Sequence, residues 1–186
     1  FEFSGLVVTD FSLRSEEDAD RFRYILAHEA AHQWWYGLVG NRSTEDPWLD
    51  EALASYSALI YLEEVEGEEA AQSLLELWKE RYSTPGRSDP PVDSSAYVFG
   101  NWVNYHTVVY YQGALFLAAV RQEIGDHRFF DLLRRYQAAY RYQVATTSDF
   151  ISLLEETIGH GAGPMLEQYF SDGVSQRQPS LTAGGG

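Results

Sequence analysis

Apolar residues along this chain recur mostly at helical spacing. Phe22, Ile25, Leu26 and Ala30 fall on one stripe behind acidic Glu16-Glu17-Asp18, so a helix is expected from there to about Trp35. Gly37 and Gly40-Asn41 end it. A second helix opens at Asp46-Pro47, carries Leu49, Leu53, Tyr56 and Ile60, and runs to about Glu64. Gly67 separates it from a third over Glu68–Arg81. Ser83–Ser95 holds three prolines and reads as a long connector or lid. Helical spacing returns over about Thr107–Ile124 and His127–Tyr142. Thr146-Thr147-Ser148-Asp149 has the form of a capping box opening a helix to about Ile158, and Met165–Ser171 reads as a last short helix. At the other end Phe1–Asp10, with Leu6-Val7-Val8-Thr9 at its centre, reads as a strand. The expected fold is mainly α with a short N-terminal β segment. No repeat or linker divides it, so one domain is expected over residues 1–172 and a tail over 173–186.

Composition narrows the function classes. A chain of 186 residues with 45% hydrophobic and 22% charged residues has the make-up of one folded domain. Acidic residues outnumber basic ones 28 to 13, and the net charge of −15 disfavours nucleic acid and anionic membrane as partners. Without cysteine there is no disulfide, Cys-ligated metal or thiol catalysis. No apolar run reaches the roughly 18 residues of a membrane-spanning helix. The start has neither a basic signal-like region nor an initiator Met, which leads to the expectation of a piece of a longer protein. Glu63-Glu64-Val65-Glu66-Gly67-Glu68-Glu69 reads as a solvated helix junction.

His28-Glu29-Ala30-Ala31-His32 is H-E-x-x-H on an expected helix. At 3.6 residues per turn both imidazoles leave one face, one turn apart, and can meet a single zinc ion. Glu29 points elsewhere and can reach a water beside the metal. A catalytic zinc site takes three protein ligands and leaves one position open. Leu38 lies where a metzincin would place its third His, so that class is excluded. His106, His127 and His160 could supply the third ligand, as could a carboxylate on the next helix. Spacing prefers Glu51 modestly over Asp50, its neighbour, and Asp46, which reads as a helix cap.

His28–His32, eighteen intervening residues, and Trp48-Leu49-Asp50-Glu51-Ala52 resemble the aminopeptidase N family of gluzincin metallopeptidases, whose second motif is W-L-N-E-G. His32-Gln33-Trp34-Trp35-Tyr36-Gly37 is similar to that family's H-Q-W-x-G. Val109-Tyr110-Tyr111-Gln112-Gly113-Ala114 is similar to its Y-x-K-G-A, with Gln112 in place of Lys. Phe1-Glu2-Phe3 resembles the end of G-x-M-E-N, with only Glu2 matching outright.

The resemblance implies the helical part of a thermolysin-like catalytic domain. It implies one Zn2+ per chain on His28, His32 and Glu51, with Glu29 as general base and Tyr110 as oxyanion donor. Glu2 would bind the free N-terminus of peptide substrates. The family's large β-domain and helical C-terminal domain would lie in the parent, outside this chain. Ser55, one turn after Glu51, is a candidate support for the ligands. The rival readings are a zinc endopeptidase, an epoxide-type hydrolase on the same site, and a non-catalytic scaffold.

Overall fold

The computed structural model describes residues 5–9, 19–82, 89–159 and 162–171. Eight α-helical segments lie among them: α1 (Ala19–Ala31), α2 (Trp48–Glu66), α3 (Glu68–Tyr82), α4 (Trp102–His106), α5 (Gly113–Ile124), α6 (Asp126–Tyr140), α7 (Thr147–Ile158) and α8 (Gly163–Tyr169). A π-helical stretch, Thr107–Gln112, joins α4 to α5 without a break. The helix expected from Thr107 therefore begins five residues earlier.

The β component is small. β1 (Gly40–Asn41) pairs in parallel with β2 (Val144–Ala145) and clips the loop after α1 to the start of α7. Among residues 5–9 only Leu6 makes a β-bridge. Residues 1–4 and 10 of the expected N-terminal strand, the acidic Glu16-Glu17-Asp18 and the tail from 172 lie outside the described residues.

α2 is the hub. Trp48 to Tyr56 are all buried, the polar Asp50, Glu51 and Ser55 among them, and the helix packs against α1, α3, α5 and the π-helical stretch. Trp48 anchors its first turn, with ring centroids 5.1 Å from Phe170, 5.4 Å from Phe150 and 6.0 Å from Phe116. Its indole N–H donates to Thr147 Oγ1 at 2.9 Å. Asp46 Oδ1 accepts from the Thr147 N–H at 3.2 Å and from the Thr147 hydroxyl at 2.6 Å. Asp46 therefore does not cap α2 with its side chain as expected. It ties the start of α2 to the start of α7. The capping box at Thr146 and Asp149 forms as the sequence suggests.

α1 stops four residues short of Trp35. The His32 N–H still bonds to the His28 carbonyl at 3.3 Å, but Trp34 and Trp35 both donate to Ala31 O. Tyr36 then takes φ 111°. Gly37 passes so close that a Cβ there would lie 2.9 Å from Gln33 O, which explains the glycine.

The described part of the proline-rich loop is pinned, which favours a connector over a lid. Val92 is fully buried and its N–H bonds to Tyr169 O at 2.8 Å. Asp93 accepts from the Ser171 N–H and hydroxyl, and Ser95 Oγ donates to Thr44 O. The acidic junction is less solvated than expected. Glu63 pairs with the guanidinium of Arg121, and Glu66 with Arg23 at 2.7 Å.

Candidate metal centre

α1 contributes His28, the turn directly after it contributes His32, and the first turn of α2 contributes Glu51. All three are buried. His28 Nε2 lies 3.1 Å from His32 Nε2, and Glu51 Oε2 lies 3.3 Å and 3.4 Å from the two nitrogens. Ligand atoms about 2.0–2.2 Å from a tetrahedral zinc stand about 3.3–3.6 Å apart, so this triangle has the size of one face of such a site.

The protonation pattern agrees. His32 Nδ1 sits 3.1 Å from the Trp35 carbonyl, which can only accept, so the ring proton belongs on Nδ1 and Nε2 turns a lone pair inward. Glu51 Oε2 is buried and accepts no hydrogen bond. Lone pairs converging at this distance repel one another unless a cation lies among them. The residues present therefore fit a zinc ion, and among the described residues these three form the group able to hold a metal.

Glu51 stays ionised. Burial alone would raise its pKa, but protonated His28 and His32 rings facing it in the metal-free site hold it below the usual carboxylate range, as a cation among the three would. Asp50 is buried and pushed upward, first by burial and then by the charge of Glu51. Its Oδ1 accepts from Asn41 Nδ2 at 2.9 Å, away from the triangle. The other candidate third ligands are elsewhere. Asp46 is held by Thr147, and His127 is exposed at the start of α6. His160 lies outside the described residues.

Glu29 follows His28 on α1 and is half-buried. Tyr110 lies in the π-helical stretch, its ring stacked on His28 at 5.6 Å and an interplanar angle of 17°. His106 also stacks with it, at 4.3 Å and 19°. Burial and the nearby charge of Glu51 raise the Tyr110 pKa, which keeps the phenol protonated as a donor. Burial lowers that of His106, favouring its neutral form. His106, a candidate ligand by sequence, is a ring partner of Tyr110. Its position four residues before Tyr110 on a helix was the available signal.

Glu2 lies outside the described residues. Gly5, three positions on, donates its N–H to Gln33 Oε1 at 2.6 Å, and Gln33 Nε2 reaches Leu6 O at 3.4 Å. The N-terminal segment is thus held at the residue directly after His32.

The profile of the peptidase family M1 domain matches residues 3–169. The chain belongs to that family. This M1 domain is 28% identical to human aminopeptidase RNPEPL1 over 194 aligned residues, covering 94% of this chain and 26% of the relative. It is 25% identical to probable aminopeptidase 2 of Sulfurisphaera tokodaii, covering 84% of this chain and 20% of that one. The M1 zinc metallopeptidase of Deinococcus radiodurans shares the fold, with a TM-score of 0.72 at 24% identity, over 89% of this chain and 34% of the other. A mutant of that enzyme bound to a Tyr-Ser-Ala substrate matches with a TM-score of 0.71 at 25% identity, over 88% and 34%. The chain thus spans about a quarter of the human relative. The family read from the motifs is borne out, and so is the mainly helical, thermolysin-like fold.

Proposed function

We propose that this M1 domain is the catalytic core of a zinc-dependent aminopeptidase. Its zinc ligands would be His28, His32 and Glu51, its general base Glu29 and its oxyanion donor Tyr110, while Glu2 would hold the α-amine of the substrate. The observation that carries the reading is the buried triangle of two imidazole nitrogens and a carboxylate oxygen, 3.1–3.4 Å on edge. The aminopeptidase names of the relatives and the peptide bound to the Deinococcus mutant support the substrate class. We assign the catalytic domain to residues 1–172 and a tail to 173–186, with further domains of the parent outside this chain.

A zinc ion held by His28, His32 and Glu51 would supply a Lewis acid and would lower the pKa of a water beside it towards about 7. Glu29 accepts a proton from the attacking water and later delivers it to the leaving amine nitrogen. Tyr110 donates its phenolic hydrogen bond to the carbonyl oxygen as negative charge gathers there. Stacking on His28 and His106 limits how far that hydroxyl can swing. Glu2 pairs with the substrate's ammonium group, so hydrolysis stops after one residue. Trp102, 64% exposed and edge-on to Tyr110 at 6.1 Å, offers an apolar wall beside the site.

Metal analysis of the purified whole protein, followed by hydrolysis of paired free and N-acetylated peptides, tests the reading. One zinc per chain and a strong preference for the free amine are expected. A zinc protein that cleaves both equally would be an endopeptidase.

A further inference from the structure

The two histidines of the triangle are oriented by different means. His32 Nδ1 faces the backbone carbonyl of Trp35, which no side-chain substitution removes. His28 Nδ1 faces a side chain, Ser55 Oγ, at 3.3 Å. Ser55 has no exposed surface and lies one turn beyond Glu51 on α2. One helix therefore carries both the third ligand and the group behind the first.

A serine hydroxyl alone does not choose a tautomer, because it can donate to Nδ1 or accept from it. If it donates, the His28 proton moves to Nε2, into the triangle, where it would block a metal. If it accepts, Nε2 is left with a lone pair facing inward. Tyr24 can decide between the two. It lies one turn before His28 on α1, with ring centroids 6.3 Å apart, and its phenol is close to the Ser55 side chain. If Ser55 gives its own proton to the Tyr24 phenol, its lone pairs remain for His28.

We propose that Ser55, backed by Tyr24, is the positioning residue that keeps the His28 proton on Nδ1 and so aims Nε2 at the metal. This rests on the zinc reading above. The chain of donors runs His28 Nδ1–H to Ser55 Oγ–H to Tyr24 Oη, directed away from the triangle. Partners of this kind behind a ligating histidine typically change metal affinity by about 10–100-fold.

The test is zinc affinity of the whole protein, measured by competition with a chromogenic chelator. Thermal unfolding of the metal-free forms and the visible spectrum of the Co2+-loaded forms accompany it. Ser55→Ala should bind zinc about 10–100-fold more weakly and shift the Co2+ bands, while its metal-free Tm stays near that of the unmutated protein. Tyr24→Phe should lose affinity in the same direction but by less. A folded Ser55→Ala protein with unchanged zinc affinity and Co2+ spectrum would overturn the proposal. If Ser55→Ala does not fold, unchanged affinity in Tyr24→Phe would overturn it, and a loss there would support it. An unmutated protein with no zinc affinity would instead remove the metal reading and this proposal with it.

Discussion

A Cβ placed on Gly113 would lie 2.6 Å from the Ala52 Cβ. No side chain separates the two helices at that point. Ala52 follows Glu51, and Gly113 comes three residues after Tyr110, so this close approach fixes the separation between Glu51 and Tyr110. Ala52 stands where the family motif has glycine, and the methyl it adds fills the space that Gly113 leaves open.

Gly113→Ala should therefore destabilise the domain by about 1–3 kcal/mol, the usual cost of overpacking. Activity should fall as well, because the helices can relieve the clash only by moving Tyr110 away from Glu51. Thermal unfolding and steady-state rates on one preparation check both parts. An unchanged Tm would mean that the backbones yield without cost.

Thr147 links α7 to the first turn of α2 through Asp46 and Trp48. Thr147→Val keeps the shape but removes the hydroxyl. The Trp48 indole N–H and one lone pair of Asp46 then lose their partner inside the core. The expected loss is about 1–3 kcal/mol, read as a lower denaturant midpoint at constant slope. A midpoint within error of the unmutated protein would show that the link adds nothing.

The candidate ligands could be picked out because their spacing is local. His28 and His32 share a helix face through their spacing alone, and the eighteen-residue interval brought Glu51 in by resemblance. Helix boundaries at Gly67 and at the Thr146 capping box were legible for the same reason. Contacts between distant segments were not. Nothing near Asp46 announces a partner 101 positions away, so the residue read as a cap. Gly40–Asn41 and Val144–Ala145 are too short to show a two-residue period, and glycine and asparagine disfavour strands. The π-helical stretch carries the same apolar pattern as an α-helix, so its register around Tyr110 was invisible. It widens the helix where the site lies, a common place for such turns.

Glu29→Gln should leave the zinc content at one per chain and lower kcat by roughly 10²–10⁴-fold. Glutamine is nearly isosteric and cannot take the proton from water. Metal analysis and turnover on the same sample separate this from a structural effect. Loss of zinc together with activity would show that Glu29 supports the site rather than acting in the reaction.

Tyr110→Phe should lower kcat by about 10²–10³-fold with little change in KM, because the hydroxyl acts on charge that forms only in the transition state. The phenyl ring keeps its stacking on His28 and His106, so zinc content should stay at one per chain. Unchanged turnover would leave Tyr110 with a packing role.

Glu2 and the segment after it bear on exopeptidase specificity. An aminopeptidase needs an anion at a fixed distance from the metal, where the substrate's ammonium group can rest. Gly5 is hydrogen-bonded to Gln33, next to His32. Gly5 comes three residues after Glu2, so this hydrogen bond bears on the role proposed for Glu2. In the parent protein Glu2→Ala should lower kcat/KM for free-amine substrates by about 30-fold or more, the cost of stranding a desolvated charge. N-acetylated peptides carry no such charge and should be cleaved slowly by both forms, with little difference between them. Gln33→Ala should act in the same direction but less, because it removes that hydrogen bond and leaves the carboxylate in place. Kinetics on matched free and acetylated peptides decide the matter. Equal losses on both substrate types would show that Glu2 supports the site in general, and the free amine would then have to be held by another group.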